Sequence, residues 1–126
     1  MTRTVQQMLD AANAVVPKIG ADEARRLARE EGALIVDLRE GAEIEATGRI
    51  RGAATVPRGM LEFRADPGSK YHDPAFDPAR PVVLYCASGG RAALAGKTLA
   101  EMGYGRVYNL GGFKDAADAG METEQP

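Results

Sequence analysis

Apolar residues along this chain switch between helical spacing and short unbroken runs. Val5, Met8, Leu9, Ala12, Val15 and Val16 recur every three or four positions, which predicts an amphipathic helix that Pro17 ends. A stripe of that width is what a core-facing helix shows, so this helix is expected to pack on its own domain, with a second subunit as the alternative. Asp22 to Glu31 reads as a second helix, acidic at its start and stopped by Gly32. Ala33 to Leu38 reads as a buried strand. Glu40 to Thr47 follows as a short helix closed by Gly48, and Ala53 to Val56 as a strand that Pro57 cannot extend. Met60 to Phe63 suggests one or two helical turns. Pro81 to Tyr85 is a β-branched, uncharged run bounded by a proline, and so a short buried strand. From Arg91 to Met102 the spacing is helical again, with Leu94, Ala95, Thr98, Leu99 and Met102 on one face and Gly103 at the end. Arg106 to Leu110 is the last strand and Phe113 to Ala119 a terminal helix, while residues from Glu122 onward are expected to fray.

Strands alternating with helices imply parallel pairing, in an α/β sandwich with helices on both faces of the sheet. Ligands of such sheets bind beyond the carboxyl ends of the strands. That rule gathers Asp37 to Arg39, Pro57 and Arg58, Cys86 to Arg91, and Gly111 and Gly112 at one rim. Asp66 to Arg80 carries three prolines and several charges, and reads either as a wall or lid over the site or as a solvated crossover.

Composition narrows the function classes. At 126 residues the chain is long enough for one domain with a sizeable core, and 44% apolar with 27% charged residues is ordinary for a globular protein. A net charge of −2 offers no broad electrostatic surface for nucleic acid or an anionic membrane. No apolar run approaches a bilayer span, and the first ten residues lack a signal peptide's apolar core. One cysteine forbids an internal disulfide, and one cysteine with one histidine cannot build a typical zinc site, so no metal is expected. A reducing cytoplasm is the expected location.

That cysteine holds most of the chemical signal. Cys86 ends the apolar run, Ala87, Ser88, Gly89 and Gly90 form a loop of small residues, and Arg91 opens the next helix. A thiol attacks as its thiolate, and a helix N-terminus with a nearby arginine is the kind of setting that favours the anion. Gly89 and Gly90 can take positive φ and turn successive amides inward as an anion nest, while Ser88 adds a hydroxyl. The bland alternative is a small core hydrophobe at a strand end. The functional reading therefore requires a reachable sulfur with amides facing it.

Other polar residues divide between support and solvent. Asp37 and Arg39 read as an exposed turn in isolation, but at the rim as an internal ion pair bracing the loop. Arg58 is a candidate for attracting a small dianion, or else a solvated side chain. His72, in the proline-rich segment, reads as solvated rather than catalytic, and Arg25, Arg26, Arg29, Glu30 and Glu31 as a solvated helix face. Gly111 and Gly112 form a turn or a close approach to the loop.

Four motifs in order resemble the rhodanese, or sulfurtransferase, family. Cys86 to Arg91 is similar to its six-residue active-site loop, Ala33 to Glu40 to its strand ending in Asp-x-Arg-Glu, Gly48 to Pro57 to its Gly-His-Ile-x-Gly-Ala-x-x-Ile-Pro signature, and Leu110 to Phe113 to its Gly-Gly-Phe motif. Arg49 stands where the signature commonly has histidine, and Ala116 where the last motif usually has tryptophan. The resemblance implies a single rhodanese-like domain over 18–121, with an N-terminal helix at 1–17, a tail at 122–126 and a mainly parallel sheet of about five strands. It further implies Cys86 as the catalytic residue of a loop in which Ala87 to Arg91 bind substrate; the rim position adds Arg58 as a substrate-binding candidate and Asp37, Arg39, Gly111 and Gly112 as supporting residues. The implied reaction moves sulfane sulfur from thiosulfate or a similar donor, through a persulfide on Cys86, to a thiol or cyanide, or to a protein acceptor. No separate cofactor is implied. Cysteine phosphatases and arsenate reductases have five residues between cysteine and arginine where this chain has four, so the tighter loop resembles sulfur transfer more than phosphate-ester hydrolysis. A non-catalytic sulfur-carrier or docking module remains the alternative from another class.

Overall fold

The computed structural model describes residues 2–126. Helix α1, Val5–Val15, opens with a capping box in which Thr4 and Gln7 bond each other's backbone amides. Helix α2, Ala21–Glu31, ends at Gly32, whose φ of +67° is the left-handed cap that glycine adopts without strain. Strand β1, Leu34–Asp37, then leads to helix α3, Gly41–Thr47, and to the short strands β2, Arg49–Ile50, and β3, Ala54–Thr55. A 3₁₀ turn, Arg58–Met60, enters helix α4, Leu61–Ala65. Strand β4, Val82–Cys86, helix α5, Gly90–Glu101, strand β5, Val107–Gly112, and helix α6, Phe113–Asp118, follow, and strand β6, Thr123–Glu124, is last.

The main sheet has four parallel strands in the order β3-β1-β4-β5. The expected fifth strand is not formed. Lys18 makes a single bridge to Asn109 along the outer edge of β5, flanked by bonds from the Asn109 amide to the Pro17 carbonyl and from the Ile19 amide to the Asn109 carbonyl. Pro17 has no N–H to continue the ladder. β2 and β6 pair antiparallel as a separate ribbon, so the end of the chain is held where fraying was expected. Arg49 supports it, its guanidinium 3.0 Å from the Glu124 carboxylate.

Alternate residues of β1 and β4 face opposite layers, as the period of a strand requires. Leu34, Val36, Val82, Leu84 and Cys86 pack with α4, α5 and Val16 of the segment after α1. Ile35, Val83 and Tyr85 pack with α2 and α6, including Ala116 at the position where tryptophan is common in the signature. Helices thus cover both faces. α1 lies on α5, as the core-facing reading expects, but through Ala12 and Val16; Val5, Met8 and Val15 are exposed. Gly96 of α5 permits the contact, since a Cβ there would sit 2.8 Å from Val16 Cγ1.

The segment from 66 to 80 is neither wall nor lid. Phe76 is buried edge-on to Tyr104, just beyond the end of α5, and Arg80 donates to the carbonyls of Gly32 and Ala75. These anchors lie at the amino ends of the strands, opposite Cys86. His72 is half-buried rather than solvated, with Nε2 3.1 Å from the Phe76 carbonyl oxygen. No described helix is long and apolar enough to cross a membrane.

Candidate active site

β1 and β4 are neighbours at the centre of the sheet. After β1 the chain moves to one side and builds β3; it returns beyond β1 to build β4. The carboxyl ends at this reversal are where open parallel sheets hold ligands. Asp37 pairs in register with Tyr85 there, and Cys86 with Gly112.

Cys86 is the last residue of β4, and the loop after it delivers the chain to the N-terminus of α5. Gly89 takes a φ of +98° at the turn into α5, and its N–H donates to the sulfur, the nitrogen lying 3.0 Å from Sγ. Of the loop amides expected to face the sulfur, Gly89's is the one that meets it. Cys86 is 1% exposed and belongs to the core on the α5 side, while Ala87 and Ser88 are exposed above it. The sulfur therefore lies below the rim, closer to sealed than the sequence suggests.

β5 forms the loop's floor. The register with β4 slips by one residue, Leu84 pairing with Asn109 and Tyr85 with Gly111, so Leu110 is the extra residue of a bulge. Gly111 takes φ of +94° at this point. The slip brings Gly112 so close to the loop that a Cβ there would lie 2.5 Å from the Ala87 carbonyl oxygen. Asn109 ties both sides together: its amide nitrogen donates to the Gly89 carbonyl at 3.1 Å, and its oxygen accepts from the Gly111 amide at 2.8 Å. Sequence reasoning missed Asn109, although a buried amide in an apolar strand is itself a signal.

Arg91 turns toward α3. Its guanidinium grips Glu43 with two bonds of 2.8 Å. That carboxylate raises the pKa of Arg91 against the cost of desolvation, and the neighbouring Cys86 adds a smaller pull. In return Arg91, helped by the Glu40 amide, lowers the Glu43 carboxyl to about 2. Glu43 was also missed; its visible trace is the pair of glutamates, Glu40 and Glu43, that forms a capping box at the start of α3.

The expected ion pair of Asp37 and Arg39 is internal. Asp37 is 0% and Arg39 2% exposed, with Nη2 and Oδ2 2.8 Å apart. Burial works against the Arg39 cation, and the Asp37 carboxylate more than compensates, so its pKa is raised. Arg39 also donates to the Thr47 hydroxyl and the Gly48 carbonyl, and stacks 4.3 Å above the Phe113 ring. Tyr85 donates to Asp37 at 2.7 Å and accepts from the Ile50 amide; burial and the Asp37 carboxylate push its hydroxyl pKa up. The pair thus pins the far end of α3, whose first turn holds Arg91.

Arg58 is not brought to the loop. Glu62, one helical turn on, takes its guanidinium at 2.9 Å, and the remaining reach is to Thr98 of α5. The depression it lines with Met8, Leu94 and Lys97 contains no residue from 86 to 91.

The rhodanese-like domain model matches residues 20–119. A sulfurtransferase of Allochromatium vinosum is 40% identical over 89 residues, 71% of this chain and 75% of its own. A structure from Rhodopseudomonas palustris, described as a possible tyrosine phosphatase, superposes with a TM-score of 0.88 at 41% identity, covering 98% of this chain and 96% of that one. The polysulfide-sulfur transferase homodimer of Wolinella succinogenes has a TM-score of 0.75 at 29% identity, over 96% and 87%.

Proposed function

We propose that this chain, which belongs to the rhodanese-like domain family, carries sulfane sulfur on Cys86 as a persulfide and passes it to a thiophilic acceptor. One contact carries the reading: the Gly89 amide directed at Sγ from 3.0 Å, at the start of α5. A main-chain donor at the positive end of a helix favours negative charge on that sulfur.

Two displacements follow. The Cys86 thiolate attacks the outer sulfur of thiosulfate; the sulfur–sulfur bond breaks, its electron pair leaves with sulfite, and Cys86 keeps a terminal sulfur anion. A thiolate or cyanide then attacks that terminal sulfur, and the electron pair returns to Sγ. Such a relay gives ping-pong kinetics. The Gly89 amide, at the positive end of α5, holds the anionic sulfur as an oxyanion hole does oxygen. Arg91, held by Glu43, keeps a positive charge at the loop's end. The reaction calls for no cofactor beyond the sulfur itself, and a reducing cytoplasm suits a cysteine that cycles between thiol and persulfide.

The near-closed mouth above Cys86 favours a slender terminal sulfur over a bulky phosphate ester. The names of the Allochromatium and Wolinella relatives point the same way. The description of the Rhodopseudomonas protein supplies the rival reading, against which stands a loop of four residues between Cys86 and Arg91.

Intact mass after thiosulfate treatment decides the matter. A gain of one sulfur, about 32 Da, by the wild type but not by Cys86→Ser is the outcome of thiolate attack. A folded, reduced protein that gains no sulfur while hydrolysing an aryl phosphate would be a phosphatase. One that gains no sulfur and has no such activity would be a docking module.

A further inference from the structure

Asn109 lies in β5 opposite Leu84 and is 3% exposed, a side-chain amide inside an apolar sheet. Both of its ends are spent on the Cys86 loop and its floor. Nδ2 donates to the Gly89 carbonyl and Oδ1 accepts from the Gly111 amide; the flipped amide would set acceptor against acceptor and donor against donor. The backbone of Asn109 is fixed as well, its N–H donating to the Pro17 carbonyl and its carbonyl accepting from the Ile19 amide. That clamp comes from residues ahead of the span the family model matches, which begins at residue 20.

We propose that Asn109 is a positioning residue: by holding Gly89 it keeps the loop amide that meets Cys86 in place against Sγ. The inference deepens the sulfur-transfer reading above, which requires negative charge to be held on that sulfur. Gly89 is the N-cap of α5 and, having no side chain, cannot cap the helix itself. A larger residue is shut out, since φ is +98° and a Cβ would sit 3.3 Å from Gly111 Cα. The Gly89 carbonyl instead takes two donors, the Ala93 amide of the first helical turn and Asn109 of the sheet. Gly89 is therefore tethered through its carbonyl to both helix and sheet, while its N–H lies 3.0 Å from Sγ. Without Asn109 only the helix holds that carbonyl, and the slack falls on the bond to sulfur, the weaker acceptor.

Charge near the sulfur comes from elsewhere, so a change at Asn109 leaves it intact. Arg91 of α5 interacts with Cys86, and Glu43 of α3 holds Arg91. Asp37 and Arg39 turn to Tyr85 and Phe113 on the opposite layer. The β5 residues paired with Tyr85 and Cys86 are Gly111 and Gly112, which carry no charge, and the core around Cys86 is apolar. An effect of uncharged Asn109 variants on the thiolate therefore reports the position of its donor.

The test is a thiolate titration. Cys86 is the sole cysteine, so its ultraviolet thiolate absorbance is isolated by subtracting the matching Cys86→Ser protein at each pH. Asn109→Ala, and Asn109→Leu, which restores bulk without the amide, should each raise the midpoint by about one pH unit, an approximately tenfold smaller thiolate fraction at acidic pH. Tyr104→Phe is the control: it removes a buried hydrogen bond to the Ala65 carbonyl, away from the loop, and should lower Tm while leaving the midpoint unmoved. An unchanged midpoint in the folded Asn109 variants, or an equal shift in Tyr104→Phe, overturns the proposal. Should neither Asn109 variant fold, the wild type decides by NMR. The Gly89 amide and the Asn109 side-chain amide should then shift with one common midpoint across the titration, and an Asn109 side chain that does not respond overturns the proposal. The titration involves no sulfur transfer, so a raised midpoint in variants of a protein that takes no sulfur from thiosulfate would sink the reading above and leave the role of Asn109 standing.

Discussion

Arg91 and Glu43 meet as a fork on a carboxylate, Nη1 2.8 Å from Oε2 and Nη2 2.8 Å from Oε1, and so join the start of α5 to the first turn of α3. The cation that ends the Cys86 loop is thereby held in one orientation. Both side chains are about one-third exposed, so solvent screens much of the attraction.

Replacing Glu43 by Gln releases Arg91 and slows persulfide loading. The stability lost at neutral pH is about 1 kcal/mol or less. The native Glu43 carboxyl is depressed from the ordinary 4.5 to about 2. Its contribution is therefore complete above 4.5 and disappears as pH falls toward 2. Urea midpoints of wild type and Glu43→Gln should differ at pH 7 and converge across that window. A constant gap would remove the ion pair as its cause.

Gly112→Ala should be far more harmful than Gly90→Ala. The first places a methyl 2.5 Å from the Ala87 carbonyl oxygen, which is backbone and cannot swing aside, whereas the second meets nothing within 4 Å. Overpacking of this kind costs about 1–3 kcal/mol and here displaces the loop that carries Cys86. Sulfite release from thiosulfate, with thermal unfolding alongside, would check the contrast.

Arg39→Leu strands the Asp37 carboxylate in the core and should cost about 3–5 kcal/mol. Tyr85→Phe removes one hydrogen bond to that carboxylate and leaves the Ile50 amide without its partner, a loss of about 1–3 kcal/mol. These residues share one network, so the double variant should lose less than the sum of the two. Additive losses in urea unfolding would show the two contacts to be independent.

Gly96→Ala should lift α1 from α5, because Val16 Cγ1 and Cγ2 lie 2.8 and 2.9 Å from the new methyl. Adding Val16→Ala makes the space again. Hydrogen exchange in α1 should rise in the single variant and recover in the double one, while exchange in β4 stays slow.

Much of this arrangement was legible in the sequence because it follows from local rules. The run from Val82 to Cys86, the small loop and the helix beyond place a thiol at a helix start, and the observed elements follow that order. Asp37 and Arg39 were visible as a pair by sheet topology. What escaped depends on contacts between distant segments. Glu43 lies 48 residues before Arg91, and nothing in its local spacing names that partner. The bulge at Leu110 that carries Gly112 up to the loop is set by pairing with β4. Arg58 is held by Glu62, four residues on, a pairing the rim argument did not anticipate. The tail misled because its partners, Arg49 and Ile50, lie more than 70 residues upstream.

The group that touches Sγ belongs to the peptide chain itself, and this gives the loop an unusual tolerance. Truncating or exchanging side chains at 87 and 88 alters what an incoming molecule encounters, yet leaves the sulfur's nearest donor in place. Among the coded residues proline alone lacks that N–H, and its ring cannot follow a backbone turned to +98°. Ordinary point changes at the rim therefore alter what reaches the loop while the donor beneath it stays in place.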